Sequence, residues 1–376
     1  MAVPKKVIWS RDPHTAAKHD LLRRYLSAWA PILLSRHDVI TYAEGFSGPG
    51  IYEGGEPGSP VVAYDVFAGA LHRYPKRLRM VLMEEHKQRA EKLCEQMGLA
   101  QARRPSDLRD RLSVDVREGD FHPALIQKLR ATGSLGKPLF VLLDSYGGPD
   151  IPYSLLRDLA QQPSTEVMVT FAPSFLTRFA ERDLAHRRRG DAAFGGQEWQ
   201  NVFTKPKSDK FLFLRDQYKA TLRRAGFSHT LQFEMLDEGG RLLYLIFGTS
   251  HAKGLEKMKD ALWGVDPSHG VRYRDPKDPD QQQLELALEP NTAPLRRILL
   301  DHISASHAGR TVEELQAYTL LETVFRPAQV INLIRQMRYE GVVLTEPNGV
   351  TKKTRVTPPT SHPAAGPAAP EQDTLW

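Results

Sequence analysis

The sequence predicts an α/β fold: a mostly parallel sheet covered by helices on both faces, finished by an antiparallel hairpin and followed by a small, separate helical domain. Three observations predict it. Apolar runs of buried-strand type alternate with helical stretches from about residue 38 to 171. Four successive runs end on acids, at Glu44, Glu84 (or its neighbour Glu85), Asp120 and Asp144. Beyond about residue 290 the pattern changes to short helices and a tight turn.

Each element follows from its residues. Residues 15–34 carry Leu21, Leu22, Tyr25, Leu26 and Trp29 at helical spacing. A strand over 38–46 runs into Glu44-Gly-Phe-Ser-Gly-Pro-Gly50, and Ser59-Pro60 reads as the N-cap and first residue of a helix to about Leu71. Strands at 78–84, 112–116, 138–144 and 166–171 alternate with helices at 86–97, 123–131 and 152–161. Thr230–Leu236 and Arg241–Thr249, separated by Asp237-Glu-Gly-Gly240, read as an antiparallel hairpin.

Residues 1–264 would form this domain, and 265–290, rich in Asp, Pro and Gln, a linker. Three helices then follow in 291–355. One spans about 293–305, one opens at Thr311 in a capping box with Glu314, and one runs from Pro327 to about Glu340 with Gly341 ending it. Val342–Thr345 and Val350–Lys353 flank Pro347-Asn-Gly349 as a small hairpin. Three helices and a hairpin describe a winged helix-turn-helix. The Pro/Ala-rich residues 356–376 read as a disordered tail.

At 376 residues, with 41% hydrophobic and 26% charged residues, the chain has a globular composition. Its net charge of +6 mildly favours an anionic partner. Its single cysteine, Cys94, excludes an intrachain disulfide framework and any cysteine-rich metal centre, and its surroundings suggest a core or half-buried position. No metal is expected. No apolar run reaches membrane-spanning length and Met1–Ser10 lacks a signal-peptide core, so the expected location is cytoplasmic, with no membrane partner.

A strand ending in a glycine-rich turn lets a ligand approach the backbone more closely than a Cβ would allow. The offsets of Glu44, Gly48 and Gly50 differ from the dinucleotide fingerprint and fit the first motif of class I S-adenosylmethionine (SAM) methyltransferases. A nicotinamide-dependent oxidoreductase would need a third glycine in phase and an acid nearer to Gly50 than Glu84 is. On the SAM reading, Glu44, Phe46, Gly48, Gly50, Glu84 and Asp120 hold the cofactor, Glu84 taking the ribose hydroxyls and Asp120 the adenine amino group. Asp144 and Tyr146 would face the acceptor, Asp144 orienting or deprotonating it and Tyr146 stacking on it. Cys94 lies in the wrong place for cytosine carbon methylation, so a nitrogen or oxygen acceptor is expected.

The chain resembles the three-Cys-motif partner proteins, which join a methyltransferase-like domain to a C-terminal winged helix. The resemblance rests on Tyr42-Ala-Glu-Gly-Phe-Ser-Gly-Pro-Gly50 with Gly58-Ser-Pro60, and on Asp144-Ser-Tyr-Gly147. It rests also on Tyr244-Leu-Ile-Phe-Gly-Thr-Ser-His251 with Met258 and Trp263. It implies a Rossmann-like class I methyltransferase fold, a SAM-type cofactor and pairing with a separately encoded radical-SAM-like protein bearing the three cysteines. The family's usual Asp-Pro-Phe-Gly is Asp144-Ser-Tyr-Gly147 here, so the proline is lost.

Basic residues point to nucleic acid. Arg187, Arg188 and Arg189, after Arg178 and Arg182, form a candidate phosphate lip, with Trp199, Phe194 and Phe203 as candidate stacking partners. In the C-terminal domain Arg326, Gln329, Asn332 and Arg335 would read a groove, while Lys352 and Lys353 bind phosphates. The function expected is therefore a SAM-binding methyltransferase-like protein acting on or near nucleic acid. The alternative is a non-catalytic DNA-binding regulator or defence adaptor that keeps the fold.

Overall fold

The computed structural model describes residues 6–145, 148–236, 242–268, 270, 272–273, 290–306 and 308–359. The chain divides into two compact units, Met1–Pro290 and Asn291–Trp376.

The first unit is built on strands β1 (Val39–Glu44), β2 (Arg77–Glu84), β3 (Leu112–Glu118), β4 (Leu139–Leu143), β5 (Thr165–Phe171), β6 (His229–Leu236), β7 (Leu242–Thr249) and the short β8 (Arg272–Tyr273). They lie in the order β3-β2-β1-β4-β5-β7-β6-β8. β1 to β5 are parallel, while β7 pairs antiparallel with both β5 and β6. The result is a Rossmann-like, mostly parallel sheet with an antiparallel hairpin beside β5. β1, β4 and β5 are buried at every position, as their unbroken apolar runs require when both faces are covered.

Alternate side chains build the two layers. Tyr42 and Phe140 stack at 5.9 Å on one face, under α1 (Pro13–Leu34) and α2 (Ser59–Arg73). Leu21, Leu22, Tyr25, Leu26 and Trp29 form the buried stripe of α1, each such side chain contributing roughly 1.5–3 kcal/mol. α3 (Lys87–Ala102) and α4 (Ser106–Arg111) join α2 beside β2 and β3. On the opposite face Ala43, Val141, Val169 and Phe171 pack with α5 (Ala124–Ala131) and α6 (Tyr153–Ala160). After β5 come a single turn α7 (Pro173–Phe175), a π-helical turn at Leu176–Ala180, α8 (Leu184–Phe194), a 3-10 helix at Glu198–Thr204 and α9 (Lys210–Ala225). α10 (Ala252–Val265) returns to pack on α1.

The second unit contains α11 (Ala293–Ser304), β9 (Arg310–Thr311), α12 (Val312–Glu322), α13 (Pro327–Tyr339), β10 (Leu344–Glu346) and β11 (Arg355–Thr357). The strands form an antiparallel sheet ordered β10-β11-β9. Thr311 caps α12 in the expected box with Glu314, and Gly341 follows α13 at φ +72°.

Four expectations change. The N-cap of α2 is Gly58, not Ser59, whose hydroxyl is used elsewhere. The second strand of the C-terminal hairpin is Arg355–Thr357, not Val350–Lys353, because Thr351 and Thr354 bond each other across a turn. Cys94 is exposed, on the outer side of α3. In the linker stretch α10 extends to Val265 and Arg272–Tyr273 pairs with β6, while 274–289 lie outside the described residues, as do the hairpin turn 237–240 and the tail from 360. Among the described residues no helix is long and apolar enough to cross a membrane.

Candidate functional site

The strand order reverses between β1 and β4, and a cavity of about 110 Å³ opens at the carboxyl ends of those strands. Its lining includes Phe46, Gly48, Gly50 and Asp144 from the predicted set, joined by Trp9, Lys18, His19, Ser47, Tyr52 and Ser59.

The glycines are required by backbone geometry. Gly48 and Gly50 have φ of +63° and +74°, which disfavour any side chain, and a Cβ on Gly50 would also lie 2.9 Å from Leu93. Gly58 donates its N–H to the Gly50 carbonyl at 2.8 Å, closing the loop, and its own Cβ would meet the Gly50 backbone at 2.9 Å.

Carboxylates brace this turn from beneath. Glu84 is buried at the end of β2, and accepts from the Gly48 N–H at 2.8 Å and the His86 N–H at 3.0 Å. Glu44 is only 1% exposed, and accepts from the Tyr42 hydroxyl at 2.5 Å and the Ser59 hydroxyl at 2.9 Å. Burial pushes its carboxyl up to about 8 against those two hydrogen bonds, and the Asp144 charge adds to the rise. Ser59, displaced from its expected capping role, is therefore the hydroxyl that anchors Glu44 to α2.

Asp144 follows β4 and is paired with Lys18, which reaches it from α1. Burial works to raise this carboxyl, but the Lys18 ammonium outweighs it and holds Asp144 below the ordinary carboxylate range. His19 lies beside the pair, stripped of its proton because burial and the neighbouring Lys18 pull its imidazole down to about 3. Burial also raises the Tyr52 phenol, leaving it neutral, with its ring 5.7 Å from His19 and 6.0 Å from Trp9.

Two residues that line the cavity carry a buried polar atom, His19 Nδ1 and Ser47 Oγ, with no hydrogen-bond partner among the described residues. Such atoms are costly unless a ligand or water engages them. The residues thus fit the polar aminocarboxylate end of a SAM-like cofactor. The volume does not take a whole nucleoside, since cofactor pockets begin near about 300 Å³. Trp9 and the segment around it close that side: the Trp9 carbonyl accepts from Glu53 N–H at 3.0 Å, and Lys6 pairs with Glu53.

The remaining predicted residues are more scattered. Phe46 packs on Phe121 with ring centroids 4.4 Å apart. Asp120 is exposed, accepts from His122 N–H, and lines a separate trough of about 220 Å³ with Phe121, Asp150 and Arg189. Tyr146 lies outside the described residues. Arg187 turns inward to the Ala180 and Glu181 carbonyls, Arg189 pairs with Asp150, and Arg188 is exposed. Trp199 is fully buried and donates to Asp191 at 2.8 Å, which removes it as a base-stacking surface.

In the second unit Gln329 is buried and accepts from the Arg326 N–H, so this pair caps α13. Asn332 and Arg335 are exposed on α13, and Lys352 and Lys353 are exposed in the loop before β11.

Lys18, His19, Trp9 and Tyr52 were not selected from sequence. Lys18 had a signal: it sits three and four residues before Leu21 and Leu22, in register with the buried stripe of α1.

No family model matches the chain, and no curated protein matches it. Among solved structures it is similar to an O-methyltransferase from Bacillus cereus in complex with SAH, at 12% identity over 60% of this chain and 80% of that one, TM-score 0.33. It is similar to Trm1 from Pyrococcus horikoshii with S-adenosyl-L-methionine, at 12% identity over 70% and 62%, TM-score 0.37. It is also similar to the O-methyltransferase TomG from Streptomyces achromogenes in complex with SAM, at 17% identity over 60% and 79%, TM-score 0.31. The fold itself is read from the strand order and register of this chain.

Proposed function

We propose that the chain is a SAM-binding methyltransferase acting on or near nucleic acid, with a nitrogen or oxygen atom as acceptor. The observation that carries this reading is the left-handed Gly48–Gly50 turn, braced by Glu84 and Glu44, with two residues that line the same cavity, His19 and Ser47, each holding an orphaned buried polar atom. SAM, when bound, supplies an electrophilic methyl group. His19 and Ser47 would meet its polar end, and Phe46, Asp120 and Glu84, the last behind the Gly48 turn, would meet its nucleoside. Asp144 would position the acceptor at the cavity wall, held ionised by Lys18. Tyr146 would stack on a planar acceptor. Admission of the nucleoside requires Trp9 and Tyr52 to move outward.

The second unit, on this proposal, is a winged helix presenting Asn332 and Arg335 to a groove, with Lys352 and Lys353 on the wing. The protein would work beside a separate radical-SAM-like protein with the three-cysteine motif. A second reading, cofactor binding without turnover in a DNA-binding regulator or adaptor, is favoured by one feature: Lys18 already occupies Asp144.

Titration calorimetry with SAM, and with NAD in parallel, tests the proposal. Micromolar SAM binding that is lost in Glu44→Ala is the expected result. Binding of NAD instead, or of neither, overturns it. Methyl transfer to DNA or RNA then separates the two readings.

A further inference from the structure

We infer that the aromatic and arginine-rich shelf after β5 is a stacking platform for single-stranded nucleic acid, the strand that would deliver its base to the Asp144 edge. The inference deepens the proposed function by naming the form of the substrate, and its binding step does not require the cofactor.

The shelf is made where the chain leaves the carboxyl end of β5. Phe175 ends α7, Phe179 sits in the π-helical turn, and His186 comes from the first turns of α8. Their rings form one cluster: Phe179 and His186 lie 5.5 Å apart at 30°, Phe175 and Phe179 5.3 Å apart. Phe179 is 48% exposed and Leu184 beside it 67%, among the few large apolar side chains that face water in the described residues of this unit. A single π turn in a helical segment is a feature frequent at functional sites.

Charge around the rings is sorted. Arg187 and Arg189 hold the shelf together, through backbone carbonyls and through Asp150, each with an aromatic ring under its guanidinium. Arg178, Arg182 and Arg188 are exposed at its rim. Of the nearby acids, Asp183 caps α8 and bonds His186, and Asp191 accepts from Trp199 and Gln200, so both are turned to structure. At the rim the exposed Arg178, Arg182 and Arg188 outnumber the exposed acids Glu181 and Asp183, which leaves a net cationic edge. Arg189 and Asp120 line one trough of about 220 Å³ with Pro149 and Phe121, and Phe121 packs on Phe46 of the cofactor cavity.

An exposed ring ringed by arginines suits a strand whose base faces are free, because a duplex hides those faces in its own stack. Here the shelf takes over the stacking role that sequence alone gave to Trp199, which is buried.

The test uses the full chain without SAM and fluorescein-labelled dT and U oligonucleotides of about 12 nucleotides, read by anisotropy between about 50 and 200 mM salt. Phe179→Ala is expected to weaken single-strand binding about 5- to 100-fold, with Phe179→Trp restoring it and duplex binding unchanged. Arg182→Ala and Arg188→Ala should each lower the salt slope by about 0.7. The ratio of dT to U affinity assigns DNA or RNA. Single-strand affinity within about twofold of wild type in Phe179→Ala, or equal loss of duplex binding, overturns the inference. So does a shelf that instead captures a protein partner in a Phe179-dependent, salt-insensitive way. SAM calorimetry on the same samples keeps the readings apart. Phe179-dependent strand binding without SAM binding overturns the methyltransferase proposal alone, and SAM binding without it overturns the shelf alone.

Discussion

Replacing Glu44 by Gln removes a titration that the fold makes expensive. The wild-type carboxyl ionises near 4.5 in the unfolded chain and about 8 in the folded one. Because the folded value is raised, the folded state holds the extra proton between those limits, and stability falls as pH rises through the window. The slope is about 1.4 kcal/mol per pH unit, or roughly 3–5 kcal/mol across the whole interval. Gln imitates the protonated carboxyl: the Tyr42 and Ser59 hydroxyls both donate to Glu44, and one of them need only turn to accept from the amide. Glu44→Gln should therefore match wild type near about pH 4.5 and exceed it increasingly toward pH 8.5. At about 2 °C per kcal/mol for a unit of this size, the gain in Tm is roughly 6–10 °C at the alkaline end. Thermal melts of both proteins by circular dichroism across that range, in one buffer series, measure it. All other titrations are shared and cancel in the difference. Parallel stability curves would refute the reasoning, because they would mean that Glu44 ionises in the folded protein as easily as in the unfolded one.

Lys18→Met should cost about 1–3 kcal/mol at neutral pH by leaving Asp144 unpaired, and the cost should shrink as pH falls below the ordinary carboxylate range and through the depressed folded value of Asp144; denaturant titrations in a descending pH series would show it. Gly50→Ala, at φ +74° with Leu93 in the way, should lose about 1–3 kcal/mol, with a larger loss of SAM affinity than of stability. Arg335→Ala with Lys352→Ala should reduce the salt slope of duplex binding by about 0.9 for each phosphate no longer neutralised, and an unchanged slope would remove the C-terminal unit as the reader. Glu84→Ala should abolish measurable SAM binding; retention of wild-type affinity would cancel its cofactor role.

Much of the sheet was legible because β1, β4 and β5 are buried on both faces and so carry unbroken apolar runs, and because each leaves the sheet toward a polar edge. Glu44 and Gly50 were legible through their spacing. Lys18 was not, because the partner that draws it inward, Asp144, lies 126 residues away. Trp199 and Gln329 misled for one reason: a polar or aromatic side chain looks available until its partner is known, and here Asp191 and the cap of α13 had claimed them. Val350–Lys353 read as a strand because its composition allows one, but the Thr351–Thr354 bonds favour a turn.

The long reach of α1 has a consequence for how the protein is made. Tyr25 closes on Phe247 at 5.4 Å and bonds Glu166, while Lys18 waits for Asp144. During translation at about 5–20 residues per second, the apolar stripe of this first helix is synthesised roughly ten to forty seconds before its last strand partner. During that interval α2 and β4 can cover Trp29 through Phe67 and Phe140, while the part of the helix that meets Phe247 and α10 stays uncovered. A nascent chain of this design is a natural client for chaperones until the final hairpin and α10 have emerged to complete the cover of this helix.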